Sequence, residues 1–269
     1  MKTTDTHDLV KDSYADMLKG AQENASCGTS SPAARLAGYE DTEQHGEAAG
    51  ASFGCGNPLA FAGVQTGDTV LDLGSGAGLD LLIAAEKTGP SGLVIGIDMT
   101  DEMIEAARAN AAKAQCDNIE VRRGLIEDLP VQDSSVDWVI SNCVINLAPE
   151  KAPVFSEIAR VLKPGGHFSI SDIVVDTLPD WIRESAAAWS ACVAGAISEQ
   201  DYVAGLEAAG LKDVQVIERM VYDACQLRAI LSEDIPGLDL DMSQIEGLLE
   251  EHAGAVWSAK FTGRKPGQG

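Results

Sequence analysis

Val70-Leu-Asp-Leu-Gly-Ser-Gly-Ala-Gly-Leu-Asp80 is the stretch on which the fold turns. Val70 to Leu73 is an apolar run of the kind buried in parallel sheets. Glycines follow at positions 74, 76 and 78, and from Leu79 to Lys87 the apolar residues recur at helical spacing. Strand, glycine turn and helix make the opening crossover of a nucleotide-binding α/β unit. The G-x-G-x-G spacing of Gly74, Gly76 and Gly78 departs from the G-x-G-x-x-G of dinucleotide binders, and Asp72 stands two residues before the first glycine. A pyrophosphate uses the free N–H groups of a helix start. An acid beside the turn suits instead a ligand without phosphates that carries a cation.

The chain on the C-terminal side of this stretch repeats the pattern. A second strand, Leu93-Val-Ile-Gly-Ile-Asp98, ends in an acid twenty residues after Gly78, where a carboxylate accepts both hydroxyls of a ribose. Met99 follows, placed either to lie against a purine ring or to pack in the core. Thr100 is the expected cap of a helix over 101–114. Strand three is Ile119 to Arg122. Strand four is Val136 to Asn142, running on into Cys143-Val-Ile-Asn146. A helix over 150–162 leads to Lys163-Pro-Gly-Gly166, a sharp turn into strand five, His167 to Val174. Strand–helix alternation of this kind predicts an α/β fold with a mostly parallel sheet covered on both faces. Ligands of such sheets bind beyond the carboxyl ends of the strands, where Asp72, Asp98, Glu127 and Asn142 all fall.

The flanks are less regular. Residues 5–23 form an amphipathic helix through Leu9, Tyr14, Met17 and Leu18, and 24–58 form a long loop of small and polar residues. We expect residues 1–58 to act as an N-terminal unit, 59–175 as the ligand-binding core, and 176–269 as a lid insertion plus a C-terminal region that completes the sheet. In that last part, 176–197 is an Ala- and Trp-rich helical lid, Ser198-Glu-Gln-Asp201 restarts a helix, and 224–251 is helical and acidic. Val214 to Val221 and Ala255 to Thr262 are strands six and seven, the last antiparallel.

Composition narrows the partners. The formal net charge is −23 with a pI near 4.3. Nucleic acid demands clustered Lys and Arg, so it is excluded as a ligand, and anionic membranes with it. Residues 1–20 lack the apolar segment of a secretory signal and no run reaches membrane-spanning length, so a monomeric cytoplasmic protein is expected. In that compartment the six cysteines are expected as reduced thiols, any disulfide being catalytic or transient. Four of them sit in places that packing does not explain. Cys27 and Cys55 lie in the polar loop, Cys143 follows Asn142 at the end of strand four, and Cys192 lies in the lid. Cys116 and Cys225 have no such context.

Taken together, Phe53-Gly-Cys-Gly-Asn-Pro58, Leu71 to Asp80, Ile97-Asp-Met-Thr100, Ser141-Asn-Cys-Val-Ile-Asn-Leu147 and Cys192-Val-Ala-Gly195 resemble the arsenite S-adenosylmethionine (SAM) methyltransferases, over nearly the whole chain. The glycine-loop and strand-two motifs are shared by class I SAM methyltransferases at large. The S-N-C-V-I-N-L run with the other three cysteines is far more specific. The resemblance implies a Rossmann-like class I methyltransferase, a doubly wound seven-stranded sheet with a cysteine-bearing N-terminal loop and a helical lid. It implies that Asp72, Gly74, Ser75 and Gly76 wrap the methionine end of SAM, with Asp98, Met99 and Asn142 alongside. Ile126 and an acid of the next turn, Glu127 or Asp128, reach the adenine.

It further implies methyl transfer to trivalent arsenic, first arsenite and then methylarsenite, as a detoxification. Cys143 and Cys192 bind the metalloid, Cys55 joins them, and Cys27 assists in a thiol–disulfide cycle fed by a thiol reductant such as thioredoxin or glutathione. The chemistry is coherent, because soft thiolates suit a soft centre, and three of them leave its lone pair free for an in-line displacement governed by orientation. Two other functions share parts of this pattern. A SAM methyltransferase for a small organic acceptor has no use for four placed cysteines. A non-catalytic thiol metalloid binder leaves Asp72, the glycines and Asp98 idle.

Overall fold

A computed structural model describes residues 3–23, 48, 57–59, 62–177, 192–221 and 256–267. Cys27, Cys55, Cys225, the bulk of the predicted lid and the acidic segment 224–251 lie outside the described residues. The strands are β1 Thr69–Leu73, β2 Leu93–Asp98, β3 Ile119–Arg123, β4 Val136–Asn142, β5 Leu162–Val175, β6 Lys212–Val221 and β7 Val256–Arg264. Among the described helices, α1 is Thr3–Glu23, α2 Leu79–Thr88, α3 Asp101–Lys113, α4 Lys151–Val161 and α5 Glu199–Ala208.

The seven strands form one sheet in the order β3-β2-β1-β4-β5-β7-β6. β1 to β5 pair in parallel, and β7 runs antiparallel between β5 and β6. The chain reverses its direction of travel across the sheet between β1 and β4, which opens a crevice at their carboxyl ends. The central strands are buried on both faces, as their unbroken apolar runs require: Val70, Leu71 and Leu73 are fully buried. Leu81, Ala84, Ala85, Ile104 and Ala107 bring α2 and α3 onto one face. Val154, Phe155, Ile158, Tyr202 and Leu206 bring α4 and α5 onto the other. No described helix is long and apolar enough to cross a membrane.

Three local expectations change. β4 stops at Asn142 rather than running on to Asn146: Cys143 takes φ +61°, and Ile145–Leu147 is a turn of 3-10 helix. A left-handed residue cannot continue a pleated strand. Lys163-Pro-Gly-Gly166 lies inside β5, not before it, because Val136 pairs with Leu162 while Trp138 pairs with His167. The extra residues bulge out, with Gly165 at φ +83°. Thr100 occupies the cap position of α3, but its side chain makes no capping bond; its backbone N–H goes to Asp98 instead. Ser198, by contrast, caps α5 as expected, its Oγ accepting from the Asp201 N–H at 3.0 Å.

Asp172 is fully buried on β5 and accepts a hydrogen bond from the Tyr202 hydroxyl at 3.1 Å. Burial raises its carboxyl from the usual range to about 7, against the opposing pull of Lys151 and of the Tyr202 bond. An acid whose folded pKa is raised contributes fully at low pH and loses that contribution as pH climbs through about 7. Tyr202→Phe removes the donor that supports the ionised form. We expect it to cost about 1.5–3 kcal/mol above that pKa, where the acceptor is charged, and about half as much at pH 5.5. Urea unfolding at the two pH values checks this, and an equal loss at both contradicts it.

Candidate active site

The crevice is lined by the loop after β1, the carboxyl ends of β2 and β4, and α1. Gly74 turns the chain out of β1 at φ +66°, and a Cβ there would lie 2.3 Å from Val144 Cγ2. Gly78, at φ +93°, starts α2 so close to α3 that a Cβ would lie 3.3 Å from the Ala107 backbone. Only glycine serves both the dihedral and the approach. The loop is tied to β2 by Ser75 N–H to Ile97 O at 2.9 Å and Gly76 N–H to Asp98 Oδ2 at 3.0 Å. Asp98 Oδ1 accepts from the Thr100 N–H at 2.9 Å. The carboxylate is thus fixed on the crevice wall at the end of β2. Burial raises its pKa, while the bonds from Thr100 and Gly76 pull it back.

The acids are arranged differently from the sequence expectation. Asp72, expected at the ligand, is 2% exposed behind the loop and is not on the crevice wall. Asp80, in the first turn of α2, is on the wall, with Asn142 Nδ2 at 3.4 Å from its Oδ2. Burial, then the charges of Asp80 and Asp98, hold the Asp72 carboxyl well above the usual range. Like charges crowded in a low dielectric resist ionisation, and a bound cation relieves that repulsion. At the other end Met99, Met103 and Ile126 supply an apolar wall, Glu127 lies on it, and Asp128 does not. Glu127 Oε1 is 2.9 Å from His7 Nε2 of α1. A ligand with a cation, ribose hydroxyls and a purine meets complementary groups along this crevice, so the residues present fit SAM.

Cys143 opens from the wall beside Asn142, its N–H donating to Ser171 O at 2.9 Å. Cys192 comes to the same place from 49 residues away, its thiol donating to Cys143 O at 2.9 Å. Both are 4% exposed, and both take left-handed backbone, φ +61° and +59°. Non-glycine residues in that region carry strain of about 1–3 kcal/mol, which concentrates at functional sites. Burial, then the charge of Asp172, pushes the Cys192 thiol up to about 12. Cys143 is disulfide-bonded, so the expectation of six reduced thiols is corrected. Cys192 and Cys116 are free, and Cys116 packs with residues of α2 and β3, away from the crevice.

Three titratable wall residues had no reading as site residues in the sequence. Asp80 closes the quoted motif, two residues past Gly78, and that position was its signal. His7 and Tyr14 had none, because they reach the crevice only by the packing of α1. One consequence is measurable. Asp98→Ala strips the acceptor at the end of β2 and should weaken SAM binding by about 1–3 kcal/mol. Unchanged SAM affinity by titration calorimetry contradicts the role of Asp98.

The sheet order, the glycine loop and the acid ending β2 define a class I SAM methyltransferase fold. Residues 65–210 match the methyltransferase domain family. The chain is 43% identical over 231 residues to the arsenite methyltransferase of Halobacterium salinarum, covering 79% of this chain and 59% of that one. It is 35% identical over 223 residues to the arsenite methyltransferase of Aquipseudomonas alcaligenes, covering 79% of this chain and 64% of that one. The chain thus spans 59% and 64% of the length of these two curated relatives. Among solved structures it resembles an arsenic(III) S-adenosylmethionine methyltransferase from Chlamydomonas reinhardtii, at 32% identity and a TM-score of 0.63, covering 88% of this chain and 74% of that one. The chain belongs to the arsenite S-adenosylmethionine methyltransferase family.

Proposed function

We propose that this protein transfers methyl groups from SAM to trivalent arsenic, first arsenite and then methylarsenite, with the metalloid held by cysteine thiolates. The observation that supports this most is the meeting of Cys143 and Cys192 at the crevice wall, on strained backbone, beside the Asn142–Asp80 pair. When bound, SAM supplies a methyl carbon activated by its sulfonium. Asp98 holds the ribose, Met99 and Ile126 pack on the purine, and Asp80 and Asp72 offset the positive charge. Each thiol displaces one hydroxyl of arsenite, and the thiol proton leaves with that hydroxyl as water, so no external base is needed. Cys143, Cys192 and Cys55 hold arsenic from three sides and aim its lone pair at the methyl carbon.

The As–C bond forms from that lone pair as the C–S bond breaks, and the bonding electrons stay on sulfur. Arsenic leaves the step formally oxidised by two electrons. A pair of thiols returns it to the trivalent state and becomes a disulfide. Cys143 stands in a disulfide here, which fits a cycle restored by a thiol reductant such as thioredoxin or glutathione, with Cys27 as exchange partner. Detoxification of arsenic is the corresponding role. The test is arsenic speciation after incubation with arsenite, SAM and a thiol reductant. Methylated arsenic with an equal yield of S-adenosylhomocysteine is expected. Inorganic arsenic alone, from protein that binds SAM, overturns the proposal.

A further inference from the structure

α1 precedes the family-matched region, yet it walls the crevice at both ends. His7, Val10 and Tyr14 lie at i, i+3 and i+7, one face of a helix. His7 meets Glu127 at the purine end at 2.9 Å, Val10 is 1% exposed, and Tyr14 reaches the thiol end. There the Tyr14 hydroxyl oxygen is 3.6 Å from Cys192 Sγ, across 178 residues of sequence.

The direction of that contact follows from proton counting. A thiol has one proton, and the Cys192 proton is spent on Cys143 O. The Tyr14 O–H is therefore the donor and sulfur the acceptor. When Cys192 ligates, the bond to Cys143 O is lost with the thiol proton. The bond from Tyr14 remains available, and a thiolate accepts it more strongly than a thiol does.

We propose that Tyr14 is a positioning residue of the acceptor site: from α1 it donates to the Cys192 sulfur and fixes which of that sulfur's lone pairs faces the metalloid. The cofactor-closing helix thereby completes the substrate end as well. This rests on Cys192 serving as an arsenic ligand, as proposed above.

The test compares the parent, Tyr14→Phe and Cys192→Ser in the presence of thiol reductant. Five quantities are read: S-adenosylhomocysteine affinity, arsenite affinity with that product bound, the near-ultraviolet absorption of the arsenic–thiolate bonds, melting temperature and turnover. Phenylalanine keeps the ring against α1's neighbours, so product affinity and melting temperature should stay at the parent's values. Arsenite affinity should fall about three- to tenfold, the worth of one hydrogen bond, and the arsenic–thiolate band should shift. A purely structural role would move product affinity and stability and leave the band in place. Parent-like arsenite affinity and an unshifted band in Tyr14→Phe, with Cys192→Ser inactive, overturn the role of Tyr14 alone. Parent-like arsenite binding and turnover in Cys192→Ser overturn the thiolate reading and the role of Tyr14 with it.

Discussion

Cys143→Ser and Cys192→Ser should each abolish turnover, on arsenite and on methylarsenite alike. Serine keeps the size and removes the soft ligand, and with thiol reductant present the Cys143 disulfide is open in the parent too, so the loss reports ligation rather than packing. The two sites have nothing to compensate with. Cys143 and Cys192 are 4% exposed, they touch through the Cys192 thiol and the Cys143 carbonyl, and Cys143 stands on the crevice wall. Oxygen ligands bind a soft centre weakly, and a metalloid held by one thiolate fewer is no longer oriented. The other four cysteines separate the mechanism from general thiol loss. Methylarsenite has already given one coordination position to carbon and needs only two thiolates. Cys27→Ser and Cys55→Ser should therefore lose the first methylation and keep the second, whereas Cys116→Ser and Cys225→Ser should match the parent. The assay is product speciation for all six variants on both substrates. A parent rate for Cys143→Ser on either substrate, or damage from Cys116→Ser equal to that from Cys143→Ser, contradicts this account.

Gly74→Ala should weaken SAM binding by on the order of a hundredfold, the sum of an unfavourable dihedral and an overpacked contact. The position carries φ +66°, and an added Cβ would meet Val144 Cγ2 at 2.3 Å and Val144 Cβ at 2.6 Å. Val144 cannot retreat cheaply, because it follows Cys143, whose N–H is bonded to β5, and precedes the 3-10 turn over Ile145–Leu147. Either the glycine loop moves off the cofactor or the Cys143 turn moves off the acceptor, so arsenite affinity should drop along with SAM affinity. Gly76→Ala separates the two causes. Its φ is +51°, but nothing lies within 4 Å of its would-be Cβ, so it carries the dihedral cost without the clash. Calorimetry on both variants should rank Gly74→Ala well below Gly76→Ala, and equal affinities would show that Val144 is not what makes Gly74 obligatory.

The cofactor end was legible because its determinants are local. The glycines at 74, 76 and 78, the buried run before them and Asp98 at the end of β2 all act within one or two elements of each other in the chain. The acceptor end was legible only through the resemblance carried by its cysteines. Nothing in the spacing of Cys143 and Cys192 requires that they meet; Val175 N–H to Ile197 O and the Cys192 thiol to Cys143 O are what fold residues 192–197 back onto β5 and the Cys143 turn. That Asp72 lies behind the glycine loop, with Asp80 on the crevice wall, was not legible for a related reason. An acid before a glycine turn and one after it look equivalent in sequence, and which one faces the crevice depends on the pleat of β1 and the entry angle of α2. Cys143's disulfide was not legible either, since cysteine spacing carries no record of which thiols meet.

By itself, then, the sequence determined the class of fold and the place of the cofactor, because hydrophobic periodicity and glycine turns constrain backbone over short distances. It also determined which side chains have the chemistry for a soft acceptor. Tertiary structure alone decided that Asp80 rather than Asp72 stands on the wall, that β4 breaks at a left-handed Cys143, and that α1 brings His7 to Glu127 and Tyr14 to Cys192. Those contacts span 120 and 178 residues, and no local pattern encodes them. They arise from burying the apolar face of α1 against the rest of the domain, a choice made by the packing of whole elements.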